Sequence, residues 1–546
     1  MPALVAPPRH CIPDITRKVK GETDAHVEDL QPFACGLTGR SVEVLEPQSC
    51  EVQGIFPHWL QGQLYRNGPG VWDVETKSGE TFSLAHWFDG LTVMHKFDIQ
   101  AGCVTYRNRH LVKEMENYIR EYNRPPNLTA YDDPCGSFMG RAFSTFVQAA
   151  TQGLQTFEHY QDPETGKEGK VNVGVTVGQY RGNKLVSRTD ANVLYELNPQ
   201  DMEVIQQMNY SAVIPEVQGN FATSHVERDE AAGLTFNVVM DLTARGWGLY
   251  TLFCVPDDES EEPYAVAKVQ DEPCYIHSFA ATERYLILIL APCVLSPLKM
   301  LINKSLFKDV QWKPQNGVKF YVVDKQKNGR GHVATFRHDA FFYFHNINAF
   351  ESGDDLCIDL AAYEDNQIIV HLHRANLLFN LQPHAPAIPR RYTLSNISRA
   401  ITAGKDSVAE ASSRDLLSDP QCFELFTISP LNKCKAYRYS YGTSLQAGDC
   451  FYTRLLKVDA ELGTSQEWKE EGTFPGEPIF VPHPEASKED QGVLLSVVLA
   501  GAQKRSFLLV LDASNMQEIA RAWTKHPVTL GFHGNFFGLD AFKSAD

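Results

Sequence analysis

Short apolar, β-branched runs separated by clusters of glycine, asparagine, aspartate and proline follow one another from Phe56 to the end of the chain. This alternation is typical of strands joined by turns, and long amphipathic helices are scarce. Clear predicted strands are residues 171–177, 234–240, 318–323 and 494–499. The pattern therefore predicts an all-β protein.

A strand-turn-strand unit recurs along this pattern. Residues 194–205 (LYELNPQDMEVI) and 508–519 (LLVLDASNMQEI) are the clearest copies, and 94–106, 320–329 and 455–468 are weaker ones. Each strand ends in Asp or Asn, whose short side chain can hydrogen-bond the backbone of its own turn. These residues are Asp98, Asn198, Asp324, Asp459 and Asp512. Their spacing is close to multiples of a blade of about 40–50 residues, which predicts a β-propeller, with hairpins in a large β-sandwich as the alternative.

The chain is predicted to form one propeller domain over residues 41–546, preceded by an arm of proline-punctuated residues 1–40. Long irregular insertions interrupt the strands. On a propeller we expect them to gather on one face as a cap, because loops on a rigid scaffold commonly build binding sites. The predicted cap segments are 113–162, 257–271, 292–310 and 382–420.

Two insertions, 134–150 and 292–307, mix large apolar residues with isolated Lys or Arg and lack strand alternation. Such segments suit a membrane interface, and packing on the propeller is the alternative. The longest apolar run, 285–295, is far shorter than the roughly 20 residues of a membrane-spanning helix. The start of the chain lacks the apolar core of a secretory signal. We therefore expect a cytoplasmic protein that associates peripherally with a membrane.

Composition and motifs exclude several classes of function. The formal net charge of −17 argues against nucleic acid as a partner, because phosphate binding needs clustered basic residues. The 12 cysteines contain no C-x-x-C pair, which argues against zinc ribbons and thioredoxin chemistry. Nucleotide-binding glycine loops, H-E-x-x-H and G-x-S-x-G are also absent from the sequence.

Histidines are the best candidates for chemistry. His371 and His373 would face the same side of a strand and could share a metal. No further ligand lies near them in sequence, which favours the alternative of an ordinary surface or core pair. Four other histidines sit in apolar strand contexts, where a single histidine is more often a hydrogen-bonded core residue. They are His225, His277, His345 and His533. In a propeller the inner strands converge on the axis, so successive blades could each deliver one ligand without a local spacing motif.

Long ordered motifs resemble the carotenoid cleavage oxygenase family, which includes animal carotenoid oxygenases and the retinoid isomerohydrolase of the retinal pigment epithelium. The resemblance covers most of the chain. It is carried by LYRNGPG (64–70), HWFDGLTVMHKF (86–97), DDPCGSF (132–138), the segments around the four histidines, and FPGEPIFVPHPEA with HPVTLGFHG near the end. The C-terminal residues 477–537 are expected to form the last blade, with His533 on it.

The resemblance implies a seven-bladed propeller with a cap of long loops and short helices on one face, and an Fe(II) ion on its axis. The four histidines would bind the iron. The family's acidic partners of the histidines fall on Asp190, Glu424 and Glu477. Family members usually have Glu at the first position, so we expect the shorter Asp190 to make a longer, shifted or water-bridged contact.

The implied reaction is oxidative cleavage of a conjugated double bond of a carotenoid or apocarotenoid by O₂, which gives two carbonyl products. Phe344, Tyr363 and Phe532 are candidates to line a substrate tunnel, and Cys135 is a candidate acylation point. The same scaffold is compatible with two other enzymes. One is a retinoid isomerohydrolase that uses iron as a Lewis acid, and the other is a stilbene-cleaving oxygenase, which needs a Tyr/Lys pair that the sequence does not place.

Overall fold

The computed structural model describes residues 31–126 and 160–542, apart from 182, 244–245, 297–298, 301–304, 309 and 380–385. Within these residues the chain forms seven mainly antiparallel sheets of four to six strands, and two two-stranded ribbons. The sheets are the blades of a β-propeller, which confirms the predicted all-β seven-bladed fold. In the part of the chain that is described, no helix is long and apolar enough to span a membrane.

The strands are grouped here by blade and numbered in chain order. Blade 1 contains β1 (Gln48–Ser49), β3 (Gly62–Val71), β6 (Leu91–Gln100), β7 (Cys103–His110) and β37 (Gly534–Phe537). Blade 2 contains β8 (Thr176–Tyr180), β9 (Lys184–Arg188), β10 (Leu194–Leu197) and β11 (Val204–Met208). Blade 3 contains β12 (Phe221–Ala222), β13 (Glu227–Asp229), β14 (Leu234–Leu242), β15 (Gly248–Pro256) and β16 (Tyr264–Asp271). Blade 4 contains β17 (Ala280–Ala281), β18 (Tyr285–Leu290), β21 (Val318–Asp324), β22 (His332–His338) and β26 (Val408–Glu410).

The remaining blades complete the ring. Blade 5 contains β23 (Phe342–Ser352), β24 (Asp355–Tyr363), β25 (Ile388–Leu394) and β27 (Ser412–Asp415). Blade 6 contains β28 (Glu424–Ile428), β29 (Tyr439–Ser444), β30 (Arg454–Asp459) and β31 (Thr464–Lys469). Blade 7 contains β2 (Glu51–Gly54), β32 (Thr473–Pro475), β33 (Ile479–Pro482), β34 (Gly492–Ala500), β35 (Arg505–Asp512) and β36 (Glu518–Trp523). The ribbons pair β4 (Asp73–Glu75) with β5 (Thr81–Ser83) and β19 (Cys293–Val294) with β20 (Gln311–Trp312). The helices are α1 (Lys113–Tyr122), α2 (Ile368–His371), α3 (Arg374–Phe379) and α4 (Ile397–Ala403).

Central strands of the blades are buried on both faces, because each blade is packed between two others. All six residues of β18, with the sequence YLILIL, are buried, and so are eight of the nine residues of β34. This burial explains why such strands read as continuous apolar runs rather than as an alternation of apolar and polar residues. The core therefore lies between the blades.

The repeated unit forms a hairpin in each of its five copies, as predicted. In four copies the carboxylate or amide oxygen at the strand end accepts a hydrogen bond from the backbone N–H two residues later, at 2.7–3.2 Å. These acceptors are Asn198, Asp324, Asp459 and Asp512. Asp98 differs because β6 continues to Gln100, and its carboxylate pairs with Lys96 at 2.9 Å instead.

Strands from the two ends of the chain close the ring. The N-terminal β2 pairs with β36 at the outer edge of blade 7, and the C-terminal β37 pairs with β3 at the inner edge of blade 1. The expectation that residues 477–537 all belong to the last blade is therefore wrong for the final strand. The strand that follows His533, β37, completes the first blade, because its backbone pairs with the inner edge of β3.

Several predicted segments need correction. The predicted cap loop 257–271 contains β16, and 382–420 contains β25, α4, β26 and β27. These strands were missed because they lie toward the outer side of their blades. Most of the residues of β16 and β25 are only half-buried, so the sequence shows no clear alternation of apolar and polar residues. In the segment 171–177, only residues from Thr176 onward belong to a strand, and Val171 and Val175 line a cavity instead.

Other boundaries are only partly described. Residues 1–30 of the predicted arm, 127–159 of the first cap segment, the membrane candidate 134–150 and Cys135 all lie outside the described residues. Phe33 and Leu37 are buried in the main hydrophobic core, so the arm does not extend to residue 40. In the candidate 292–307, the apolar side chains of Val294, Leu295 and Phe307 are buried, which favours the packing alternative for these residues.

Candidate metal centre

The four predicted histidines lie where the inner strands of four blades are interrupted. His225 falls between β12 and β13, which both pair with β14, and His277 precedes β17. His345 lies on β23 at a shift in the register with β24, and His533 immediately precedes β37. Bulges and breaks of this kind re-aim a side chain away from the sheet face. Each interruption therefore lets a blade present one imidazole to the propeller axis.

The structure brings the four imidazoles together. One nitrogen atom of each ring lies within 4.8 Å of those of the other three. The ring centroid of His225 is 4.9 Å from His277, 4.9 Å from His345 and 4.4 Å from His533. His277, His345 and His533 are only 8%, 9% and 7% exposed. In the described residues this is the one group of this kind with the spacing of a metal site.

The donor atoms fit a metal ion. Nε2 of His225 and Nε2 of His345 are buried and have no hydrogen-bond partner within the described residues. Buried polar atoms are rarely left unpaired, so an ion at the centre of the four rings would satisfy them. Burial and the three neighbouring histidines hold the pKa of His225 well below its ordinary value, so this ring is neutral and able to act as a ligand.

Three of the four imidazoles are held by a carboxylate on their other nitrogen. The Nδ1 atoms of His277, His345 and His533 lie 2.8, 2.6 and 2.7 Å from carboxylate oxygens. Their partners are Asp190, Glu424 and Glu477, respectively. Such a carboxylate fixes the tautomer and the orientation of the ring and leaves Nε2 for the metal.

The centre receives one residue from each of the seven blades. Blades 1, 3, 4 and 5 supply the histidines, the loop after β9 in blade 2 supplies Asp190, and blades 6 and 7 supply Glu424 and Glu477. Glu424 is the first residue of β28, where the register with β29 shifts, and Glu477 lies between β32 and β33. The sevenfold architecture thus converges on a single site.

The pKa values of Asp190, Glu424 and Glu477 are all lowered from their ordinary values, which favours the ionised forms. Burial alone would raise the pKa of Glu424, but the adjacent His345 and hydrogen bonds from the Leu425 N–H and the Tyr363 hydroxyl lower it below its ordinary value. The pKa of Glu477 is lowered in the same way, against the effect of burial, by His533, Arg66 and the Gly534 N–H. Ionised partners make the imidazoles better donors to a metal.

Asp190 contacts its histidine directly, which contradicts the expectation of a lengthened or water-bridged contact. Its Oδ2 atom lies 2.8 Å from Nδ1 of His277 and accepts a hydrogen bond from the Tyr275 hydroxyl at 2.6 Å. The loop that carries Asp190 is drawn inward by the bridge between Ala191 and Phe221 in the next blade. Backbone placement therefore compensates for the shorter side chain.

A cavity of about 190 Å³ adjoins the cluster. His277, His345 and His533 form part of its wall, and most of the remainder is aromatic or aliphatic. The aromatic lining includes Trp87, Phe88, Phe307, Phe344, Tyr363 and Phe532. A cavity of this composition suits an apolar, planar ligand.

All three predicted tunnel residues, Phe344, Tyr363 and Phe532, line this cavity. Trp87 and Phe88 also line the cavity, and the Tyr275 hydroxyl donates to Asp190, but the sequence reasoning selected none of these three as site residues. The signal for Tyr275 was its position two residues before His277, on the same side of an extended segment. Trp87 and Phe88 lie in the motif HWFDGLTVMHKF (86–97), which carried the family resemblance but gave neither residue a role.

The pair His371 and His373 does not join the centre. His371 ends the short helix α2 instead of lying on a strand, so the two rings do not share one face. His373 instead pairs with His86 through an isolated bridge and a ring contact at 5.8 Å. The run IIVHLH reads as a strand from its β-branched residues, but the turn at 364–367 places it on a helix.

Comparisons with known proteins agree with this architecture. The family model described as retinal pigment epithelial membrane protein matches residues 40–538. The chain is 30% identical to human β,β-carotene 15,15′-dioxygenase, over 90% of this chain and 93% of that protein. It is 28% identical to torulene dioxygenase of Gibberella fujikuroi, over 89% and 90% of the two chains.

Solved structures share the fold. The crystal structure of cobalt-substituted apocarotenoid oxygenase from Synechocystis superposes with a TM-score of 0.72 at 22% identity, over 93% of this chain and 98% of that chain. A single-residue variant of the same Synechocystis enzyme gives the same TM-score of 0.72 and the same coverage. With these matches, and with the family model spanning most of its length, the chain belongs to the carotenoid cleavage dioxygenase family.

Proposed function

We propose that this protein is a non-haem Fe(II)-dependent dioxygenase that cleaves one conjugated C=C bond of a carotenoid or apocarotenoid. Both atoms of O₂ would enter the products, one in each new carbonyl group. The observation that carries the proposal is the four-histidine cluster in the wall of an aromatic cavity. The names of the relatives, which include carotene and torulene dioxygenases, support the substrate class.

Iron bound by His225, His277, His345 and His533 would supply O₂ activation. Four imidazole ligands would leave other coordination positions of the iron free, and Asp190, Glu424 and Glu477 hold three of the rings in place. Two carboxylates of the cavity wall, Asp190 and Glu424, are occupied by these contacts. Their part in the reaction would therefore be to orient metal ligands rather than to transfer protons.

The cavity wall would orient the substrate. Phe344 lies edge-on to His277, with ring centroids 5.5 Å apart, and Phe88 contacts both Phe344 at 5.8 Å and Phe532 at 5.5 Å. Aromatic faces and edges of this kind hold a flat polyene and exclude water from the reacting bond. The depth to which the rigid polyene enters would then select the bond that is cleaved.

Two alternatives within the family remain to be tested. A retinoid isomerohydrolase would use the iron as a Lewis acid on an ester and would not consume O₂. A stilbene-cleaving oxygenase would need a Tyr/Lys pair, and the described lining contains Tyr363 and Tyr452 but no lysine. The lining therefore favours a hydrocarbon polyene over a phenol.

Labelling with ¹⁸O₂ distinguishes these activities. Full-length protein loaded with Fe(II) would be incubated with β-carotene, a torulene-like carotenoid, an apocarotenal, a stilbene and a retinyl ester, and products would be analysed by mass spectrometry. We expect labelled aldehydes from a carotenoid or apocarotenal, with oxygen exchange measured in H₂¹⁸O. Unlabelled products, or conversion of the ester without O₂, would contradict the dioxygenase proposal.

The H277A variant tests the metal centre separately. We expect it to lose both bound iron and cleavage, because it removes one proposed ligand and leaves Asp190 without its histidine partner. The control is T282A, which removes a buried hydroxyl from blade 4 outside the cluster and should retain iron. Full iron content in H277A would refute the four-histidine assignment.

Peripheral membrane association remains part of the proposal and is supported by the lipophilic nature of a polyene. The described apolar side chains of 292–307 are buried, except for the half-buried Leu306, and give no support of their own. Flotation of the protein with phosphatidylcholine and phosphatidylserine vesicles tests this association. We expect a vesicle-bound fraction, and its absence with both lipids would contradict membrane contact.

A further inference from the structure

Arg66 is a buried cation directly behind the histidine cluster, and its own side chain is not among those that line the aromatic cavity. It lies on β3 and is 3% exposed. Its Nη1 atom donates to Oε2 of Glu477 at 3.1 Å, and Nη2 donates to the backbone carbonyl of Phe532 at 3.2 Å. The guanidinium therefore hydrogen-bonds two groups next to His533. One is the Glu477 carboxylate, which holds the His533 ring, and the other is the backbone carbonyl of the preceding residue, Phe532.

Two glycines leave space for this guanidinium. A Cβ atom on Gly476 would lie 2.9 Å from Nη2 of Arg66, and one on Gly534 would lie 2.6 Å from Cδ of Arg66 and 2.6 Å from the carbonyl oxygen of Tyr65. Neither glycine has a positive φ. Both positions therefore need a residue without a side chain, because the Arg66 side chain approaches the backbone closely there. Gly476 and Gly534 thus bound the site of Arg66 on two sides.

Arg66 also completes the local charge balance. Among the described residues it is the only cationic side chain that hydrogen-bonds any of the three carboxylates around the histidines. Lys433 lies near His225 but is paired with Glu227 at 2.8 Å, so this pair adds no net charge. With a ferrous ion bound, the charges of iron and Arg66 together equal those of the three carboxylates. A buried site without net charge avoids a large desolvation penalty.

We propose that Arg66 is a positioning residue of the metal centre, which fixes the Glu477 carboxylate on His533 and thereby sets the affinity for the metal. The inference rests on the proposed iron centre. It assigns to Arg66 an action through Glu477 rather than on the metal itself. If Arg66 acted on the metal directly, its positive charge would repel the metal cation. Removing Arg66 would then increase the affinity for the metal.

The test measures binding of Co(II), added to metal-free full-length protein, by its absorption spectrum in competition with a chelator. We expect R66M to weaken binding about 10–100-fold, the range typical for loss of a partner that orients a metal ligand. R66K keeps the charge but loses the second N–H donor, and should restore part of the affinity and of the native spectrum. Binding by R66M that is as tight as wild type, or tighter, would overturn the proposal.

A double-mutant cycle with E477Q tests the route of the effect. If Arg66 acts through Glu477, the R66M change should have little further effect on Co(II) affinity in the E477Q background, because the carboxylate that it positions has gone. Equal effects in the two backgrounds would refute that route. The double variant replaces a buried ion pair by neutral groups, which proteins tolerate better than loss of one partner.

Two further variants separate positioning from general destabilisation. R374M removes another buried arginine, which is paired with Asp73 at 3.1 Å, and should lower stability without changing Co(II) affinity. G476A keeps Arg66 but displaces its guanidinium, and should weaken Co(II) binding even if R66M does not fold. Unchanged affinity in G476A would also overturn the proposal. If wild-type protein bound no Co(II), the iron centre itself would be refuted, whereas failure to cleave a carotenoid would leave this inference standing.

Discussion

His86 is a fully buried histidine that remains neutral in the folded protein. Its side chain is 0% exposed, Nδ1 accepts a hydrogen bond from the Phe88 N–H at 3.1 Å, and Nε2 donates to the Ile369 carbonyl at 2.7 Å. Burial, with a smaller contribution from His373, lowers the pKa of His86 from 6.5 to about 3. The contacts join two parts of the cavity wall, so its protonation would disturb both.

The pKa difference makes stability depend on pH. As pH falls below about 6.5, the unfolded chain gains a proton at His86 that the folded protein does not accept, so the free energy of unfolding decreases. This loss continues until pH reaches the folded pKa. Between pH 8 and pH 5 the contribution of His86 is about 2 kcal/mol, because the folded ring stays neutral over this whole range while the unfolded ring titrates.

The H86Q variant isolates this contribution. Glutamine keeps a donor for the Ile369 carbonyl and does not titrate, so the stability deficit of H86Q relative to wild type should shrink by about 2 kcal/mol between pH 8 and pH 5. Urea unfolding of the iron-loaded proteins at pH 8, 7, 6 and 5 measures it. The control W87F removes the indole hydrogen bond to the Leu530 carbonyl and should show the same deficit at every pH. A deficit of H86Q that does not vary with pH would refute the reasoning.

Three other changes test the centre and its frame. D190E should lower the free energy of unfolding, measured in urea, by about 1–3 kcal/mol. Asp190 already reaches His277 at 2.8 Å, so an extra methylene overpacks the site. A more stable D190E variant would contradict this. G68A would place Cβ 2.4 Å from Cα of Gly531 and should weaken Co(II) binding about tenfold or more, whereas G538A, with nothing within 4 Å, should not. Deleting residues 533–546 removes a ligand and β37, and should abolish stoichiometric metal binding, while deleting only 543–546 should preserve it.

The sequence by itself determined the local structure of most strands and the identity of the candidate ligands. The Asp or Asn turn at the end of each repeated strand is a contact within a few residues, and four of the five turns form as the pattern predicts. Outer strands such as β16 and β25 were not predicted, because their residues are mostly half-buried and include charged side chains, as in a loop. The seven blades and the ligand set followed from resemblance to a family rather than from local pattern.

The tertiary structure decided how closely the polar residues of the site meet and which further residues join them. His86 and His225 occupy similar apolar contexts in the sequence, yet His225 joins the four-histidine cluster and His86 bonds a backbone carbonyl. The close contact of Asp190 with His277 and the place of Arg66 behind Glu477 also depend on residues 87 and 411 positions away. A local sequence pattern specifies the backbone conformation of a few residues. The meeting of side chains from seven blades at one site depends instead on how the blades pack around a common axis, and this packing involves the whole chain.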